Sequence, residues 1–376
     1  MKLWRRATGA LKDQRSILLV SLSRRSAYRN PDLEASIIKA TDHNDSCIDY
    51  RNAQRVFAWI CDSPVSLKPL IRALSKRMEK TQSWIVALKG LMLMHGVFCC
   101  KTPAVLRIGR LPFDLSHFTD GHSKKFEMWA FNAFVRSYYT YLDQRSVLLY
   151  EQRKQTEDPM VQELLKLRNW QSLLDILLQI KPLADNMRES LILEAMDCVI
   201  MEIFDVYSRI CNGIAKLLLG IYSAGKLEAS MALKVLQKAI SQGEDLALYF
   251  EFCSHFGVFN AMEVPKVTHI PEEDIRELER IINGISDTPQ VNNYDCFDDN
   301  KATMVREDAG DIVEYKKPNG LKTIITDKWE VFDEDQFKYK IQGNELYNFR
   351  TGNPSNCASV PLLPVYKQEI PDLISF

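Results

Sequence analysis

The chain has 376 residues, 46% of them hydrophobic and 26% charged, with 15 glycines and 15 prolines. That composition suits a protein with a sizeable core and excludes collagen-like and wholly disordered classes. The formal net charge is −1 but unevenly spread: Met1–Arg29 holds eight basic residues against Asp13 alone, net +7, whereas residues 271–376 hold 12 basic and 21 acidic residues, net −9.

A basic head on an acidic tail points to a phosphate-bearing partner, either nucleic acid or a membrane surface. Nine cysteines include no CxxC pair, and six histidines form no HExxH. A zinc site and a disulfide framework are therefore not expected, and reduced, intracellular cysteine is. The longest apolar run, Trp84–Cys100, carries Lys89 and His95 and falls short of the ~20 residues a membrane span needs. Lys12, Asp13 and Arg15 break the apolar stretch that a signal peptide requires.

Residues 2–22 read as a basic amphipathic helix. Leu3, Trp4, Ala7, Ala10, Leu11, Ile17 and Leu18 share one side, with Arg5, Arg6, Lys12 and Arg15 toward the other. Such a helix either lies in a lipid interface or packs on its own domain with a solvated basic face. Helical periodicity then predicts helices over 33–41, 51–61, 65–79, 81–99, 103–109, 124–151, 160–180, 186–223 and 227–256. The breaks are loop chemistry, such as Asp62-Ser63-Pro64 and Thr119-Asp120-Gly121. Ser83 to Arg145 reads as two long helices joined by a polar loop. Antiparallel helices with short turns suggest a solenoid-like stack. After Gly257, prolines, acids and asparagines accumulate; one more helix over 272–285 is expected, then a largely disordered acidic tail.

No catalytic constellation emerges. Gly220 to Lys226 has the GxxxxGK spacing of a phosphate loop, but Leu227 stands where Ser or Thr would hold magnesium, and the preceding run is helical rather than a strand. His95 on an apolar helix reads as a hydrogen-bonded core histidine. The chain is expected to be no enzyme, with no cofactor and no metal.

Four separated pieces carry a resemblance: 11-LKDQRS-16, 38-IKATDH-43, 84-WIVALK-89 with His95, and 133-AFVR-136 with 141-YLD-143. In this order they resemble the ANTH domain, the module that opens endocytic clathrin-assembly proteins, the plant members most closely. The resemblance covers about residues 1–285. It implies an all-α fold, an ANTH-like superhelical stack of antiparallel helices. The expected layout is a basic segment over 1–30, the helical domain over 31–285 and a flexible acidic tail over 286–376.

By resemblance the function is that of an adaptor. It binds phosphatidylinositol bisphosphate or another anionic lipid, recruits the clathrin heavy chain, and acts from the cytoplasm at coated pits and vesicles or at the Golgi. Nucleic acid drops out as a partner, and helices within 186–256 are expected to hold a vesicle SNARE. The family's basic motif maps its first lysine to Lys39 and its third cation to Arg51. Asp49 and Asn52 occupy the two other positions, so one charge is reversed and weakened or altered lipid specificity is expected. Arg5, Arg6, Lys12 and Arg15 would supply less selective affinity, with Lys124 and Lys125 as further contributors. In the tail, Leu373, Ile374 and Phe376 fit the apolar positions of a clathrin box, the terminal carboxylate standing in for its acid. The alternative is a helical-repeat scaffold that binds proteins and no lipid.

Overall fold

Local capping chemistry decides where the helices of this chain start and stop. The computed structural model describes residues 2–22, 24–25, 29–121, 125–151, 159–220, 225–262, 270 and 272–283. Its α-helices are α1 (Lys2–Ser21), α2 (Pro31–Ala40), α3 (Tyr50–Asp62), α4 (Leu67–Lys80), α5 (Trp84–Cys99), α6 (Lys125–Glu151), α7 (Pro159–Leu177), α8 (Ser190–Gly220), α9 (Lys226–Phe256) and α10 (Glu272–Asn283). Asn30 opens α2: its side chain accepts the Asp32 and Leu33 N–H groups, and Pro31 takes the first helical position. Gly257 closes α9 at φ 95°, a left-handed conformation that glycine adopts without a Cβ penalty, and its N–H donates to the Cys253 and Ser254 carbonyls.

Two expectations fail here. The helix expected over 103–109 is a single 3-10 turn, Val105–Arg107, because Pro103 and the left-handed Gly109 (φ 75°) bracket too few residues for an α-helix. The connection that follows α5 is not a polar surface loop, since it buries Val105, Leu111, Phe113, Leu115 and Phe118. Its polar residues serve as clamps. Asp120 accepts the Trp84 N–H at 3.0 Å, satisfying the first turn of α5, and Asp143 accepts the Leu111 N–H at 2.9 Å.

The helices stack in chain order. α1 lies on α2, α2 on α3 and α4, α4 on α5, α5 on α6, α6 on α7, α7 on α8 and α9, and α9 on α10. α5 is apolar on all sides, as a helix enclosed by others must be, and it meets α2, α3, α4, α6 and α8. Its Gly96 permits the close approach of α3, because a Cβ there would lie 2.2 Å from the Phe57 ring. Among the described residues there is no β-strand and no helix long and apolar enough to cross a membrane. The expected acidic tail, with Leu373, Ile374 and Phe376, lies outside the described residues.

Candidate functional site

The turn between α2 and α3 carries the two cations of the basic motif. Lys39 stands in the last turn of α2 and Arg51 in the first turn of α3, both exposed. The two departures from the motif have a structural job. Asp49 caps α3: its carboxylate accepts the Asn52 N–H at 3.1 Å and the Asn52 side-chain amide at 2.6 Å. A carboxylate there also meets the positive end of the helix dipole.

The rest of the turn is clamped from several sides. Asp42 binds Lys89 Nζ at 2.6 Å, which neutralises a lysine buried in the middle of α5. The Ile48 N–H donates to Glu194 of α8 at 3.2 Å. Asp13 of α1 accepts both the His43 N–H and His43 Nδ1 at 2.9 Å, and Arg77 of α4 at 2.9 Å. Burial alone pushes the Asp13 carboxyl up, but the His43 and Arg77 hydrogen bonds together outweigh it and hold the group below its ordinary range. The residues 41–43 of the sequence motif thus act as staples joining α1, α4 and α5 to the turn.

α1 docks by a different face than its amphipathic pattern suggests. Gly9, Asp13 and Val20 are buried, and a Cβ on Gly9 would lie 2.4 Å from His43. Leu11, Leu18 and Leu22 point the opposite way and are 70%, 62% and 84% exposed. At ~100° per residue, Arg15 lies about 40° from this leucine row and Ile17 about 120° from it. The expected division into one apolar and one basic side is therefore corrected: the leucines are an unburied stripe with cations along its edge. Lys12 and Arg15 are exposed, and Arg6 pairs with Asp45. The side chains of Arg5 and Lys125, and all of Lys124, lie outside the described residues.

Beside α1 opens a cavity of about 560 Å³, walled by α1, α2 and α4. Arg72, Lys76 and Lys80 line it from α4, Lys12 and Arg15 from α1. Sequence analysis passed over the α4 residues, although their spacing of four was legible as one helical face.

A second polar cluster is enclosed in the core. His95 lies between the Tyr138 hydroxyl (2.8 Å) and Glu202 (3.1 Å), and Arg145 binds the other Glu202 oxygen at 2.8 Å. Burial would raise the Glu202 pKa, but Arg145 and His95 hold it down to about 2, while burial drives that of His95 down. Cys99, His95 and Glu202 bring metal-type donors within 4.8 Å of one another. With the Arg145 guanidinium already on the carboxylate, the cluster suits an internal ion pair and not a second cation.

What these observations define is a helical-stack domain with a cationic front and an unburied leucine stripe. The family model described as the ANTH domain matches residues 32–284. The Arabidopsis thaliana protein named "Putative clathrin assembly protein At1g25240" is 51% identical over the full length of both chains, and "Putative clathrin assembly protein At1g68110" from the same plant is 46% identical, again over both full lengths. "Clathrin coat assembly protein AP180" of Arabidopsis thaliana is 27% identical over 76% of this chain and 50% of its own. The chain belongs to the ANTH domain family.

Proposed function

We propose that this protein is a non-enzymatic adaptor of clathrin-mediated endocytosis. The basic segment over 1–30 and the helical domain over 31–285 hold it on anionic, phosphoinositide-bearing membrane, and the acidic segment over 286–376 recruits the clathrin heavy chain. A vesicle SNARE as cargo on helices within 186–256, and action at coated pits and vesicles or the Golgi, complete the reading. Full-length likeness to proteins named for clathrin assembly supports the coat half. The observation that carries the membrane half is the row Leu11, Leu18 and Leu22, exposed beside Lys12 and Arg15 on a helix stapled to its domain through Asp13. A folded chain gains nothing from three leucines in water. In a lipid interface each contributes up to ~1.5–3 kcal/mol, and neighbouring cations meet anionic head groups at ~1 kcal/mol each. The lipid contact and the tail contact reinforce each other when many copies share one coat.

A second reading, a scaffold that binds proteins only, draws on Asp49, which caps α3 where the motif places a lysine, and on Asn52, which donates to that cap where the motif places His or Tyr. Flotation with phosphatidylserine and phosphatidylinositol bisphosphate vesicles decides between them. The adaptor floats, and Leu18→Glu with Leu22→Glu abolishes flotation while leaving the melting temperature unchanged. Wild-type protein that stays at the bottom of the gradient at low salt leaves only the scaffold.

A further inference from the structure

We propose that the cavity walled by α1, α2 and α4, and not the turn carrying Lys39 and Arg51, is the site that recognises a compact, multiply phosphorylated ring. This deepens the membrane reading and rests on it for the lipid form of the ligand. The volume of about 560 Å³ falls in the ~300–1,000 Å³ range of small-ligand pockets. Its walls are cationic on two sides: Lys12 and Arg15 sit one helical turn apart on α1, facing Arg72, Lys76 and Lys80 on one face of α4. The only carboxylate among the lining residues is Glu34, and it is held by Arg29 at 3.1 Å. Asp13, beneath, is already shared between His43 and Arg77. Among the described residues, Arg15, Arg72, Lys76 and Lys80 take part in no ion pair.

Cations gathered in a concave site without counter-charge repel one another, and an anion of matching size relieves that repulsion. Lys80 also lies in the last turn of α4, where the helix dipole favours a cation, but Arg72 and Arg15 have no such reason to converge. The Arg77 guanidinium, another lining group, donates through Nη2 to Asp13 and to the Thr41 carbonyl, while its buried Nε has no hydrogen-bond partner among the described residues. Leu19 lines the cavity and is 60% exposed, so the rim continues into the leucine row of α1. A head group seated in the cavity therefore places the leucines at the acyl boundary. In the turn, by contrast, Asp49 sets a negative charge between the two motif cations.

The test uses the full chain and two probes. Soluble inositol 1,4,5-trisphosphate is titrated calorimetrically, and phosphatidylcholine vesicles with or without phosphatidylinositol 4,5-bisphosphate are used for flotation. Arg72→Gln with Lys76→Gln weakens both interactions on the order of tenfold or more. Lys39→Gln with Arg51→Gln changes them less than about twofold. All four residues are exposed, so thermal melts stay at the wild-type value. Unchanged binding by the α4 variant, or loss confined to the Lys39/Arg51 variant, overturns the cavity. Trisphosphate binding lost in the α4 variant, with no flotation of wild type, keeps the site for a free inositol phosphate and sinks the membrane reading. Flotation on anionic vesicles with no trisphosphate binding does the reverse. Binding of neither probe overturns both.

Discussion

Replacing Asp13 with Ala isolates what fastens α1 to the stack. The carboxylate is buried and makes three bonds of 2.9 Å, two to His43 and one to Arg77. Removing one partner of a buried charge pair costs about 3–5 kcal/mol. The lower end applies here, because Arg77 retains the Thr41 carbonyl and is itself slightly exposed. Little else holds the helix: of its remaining described residues only Gly9 and Val20 are buried. The loss is therefore local. A cost of ~3 kcal/mol raises the opening of α1 roughly 100-fold, while α5, enclosed on all sides, keeps its protection. Hydrogen exchange read by peptide mass spectrometry measures both: faster exchange over 6–21, unchanged exchange over 84–99. The pH dependence has a definite sign. The folded Asp13 carboxyl lies below its ordinary value of 3.8, so its contribution is present above pH 3.8 and fades as pH falls through the folded value. Wild-type α1 thus loosens in acid, and the Ala variant loses that dependence. Unaltered exchange over α1 in the variant, or acceleration equal in α1 and α5, would refute the local staple.

Glu202→Gln leaves Arg145 buried without its carboxylate and destabilises the whole domain by about 3–5 kcal/mol, measured as a lower urea midpoint at constant slope. Because the folded pKa is about 2 against an ordinary 4.5, wild-type stability declines between those pH values and the variant's declines less. Asp49→Lys exchanges a cap for a cation: stability falls by about 1 kcal/mol, while affinity for phosphoinositide vesicles changes less than about twofold, because the head group sits in the cavity and not at the turn. A severalfold gain in vesicle affinity would instead return the head group to the turn.

Much of the fold was legible because helix boundaries are local chemistry. Asp62-Ser63-Pro64 and Gly257 mark helix ends through groups within a few residues of one another, and a run as apolar as Trp84–Cys99 can only be enclosed, whereas the Asn30-Pro31 cap opens α2 two residues before the start expected at 33. The motif pieces that carry the family resemblance were equally visible. What they do was not, because each acts on a partner far along the chain: His43 on Asp13, Lys89 on Asp42, His95 on Glu202.

Periodicity places Leu11, Leu18 and Arg15 around a helix but cannot say which side meets a neighbour. Contact with α2 and His43 settled that by choosing Gly9 and Asp13, which left the leucines in water. Likewise the spacing of Arg72, Lys76 and Lys80 defines a basic edge, while only the packing of α1 against α2 turns that edge into one wall of a cavity. Local composition determined the elements and their ends; the pairing of surfaces remote in sequence decided the site, since burial and electrostatics depend on distances that no single segment contains.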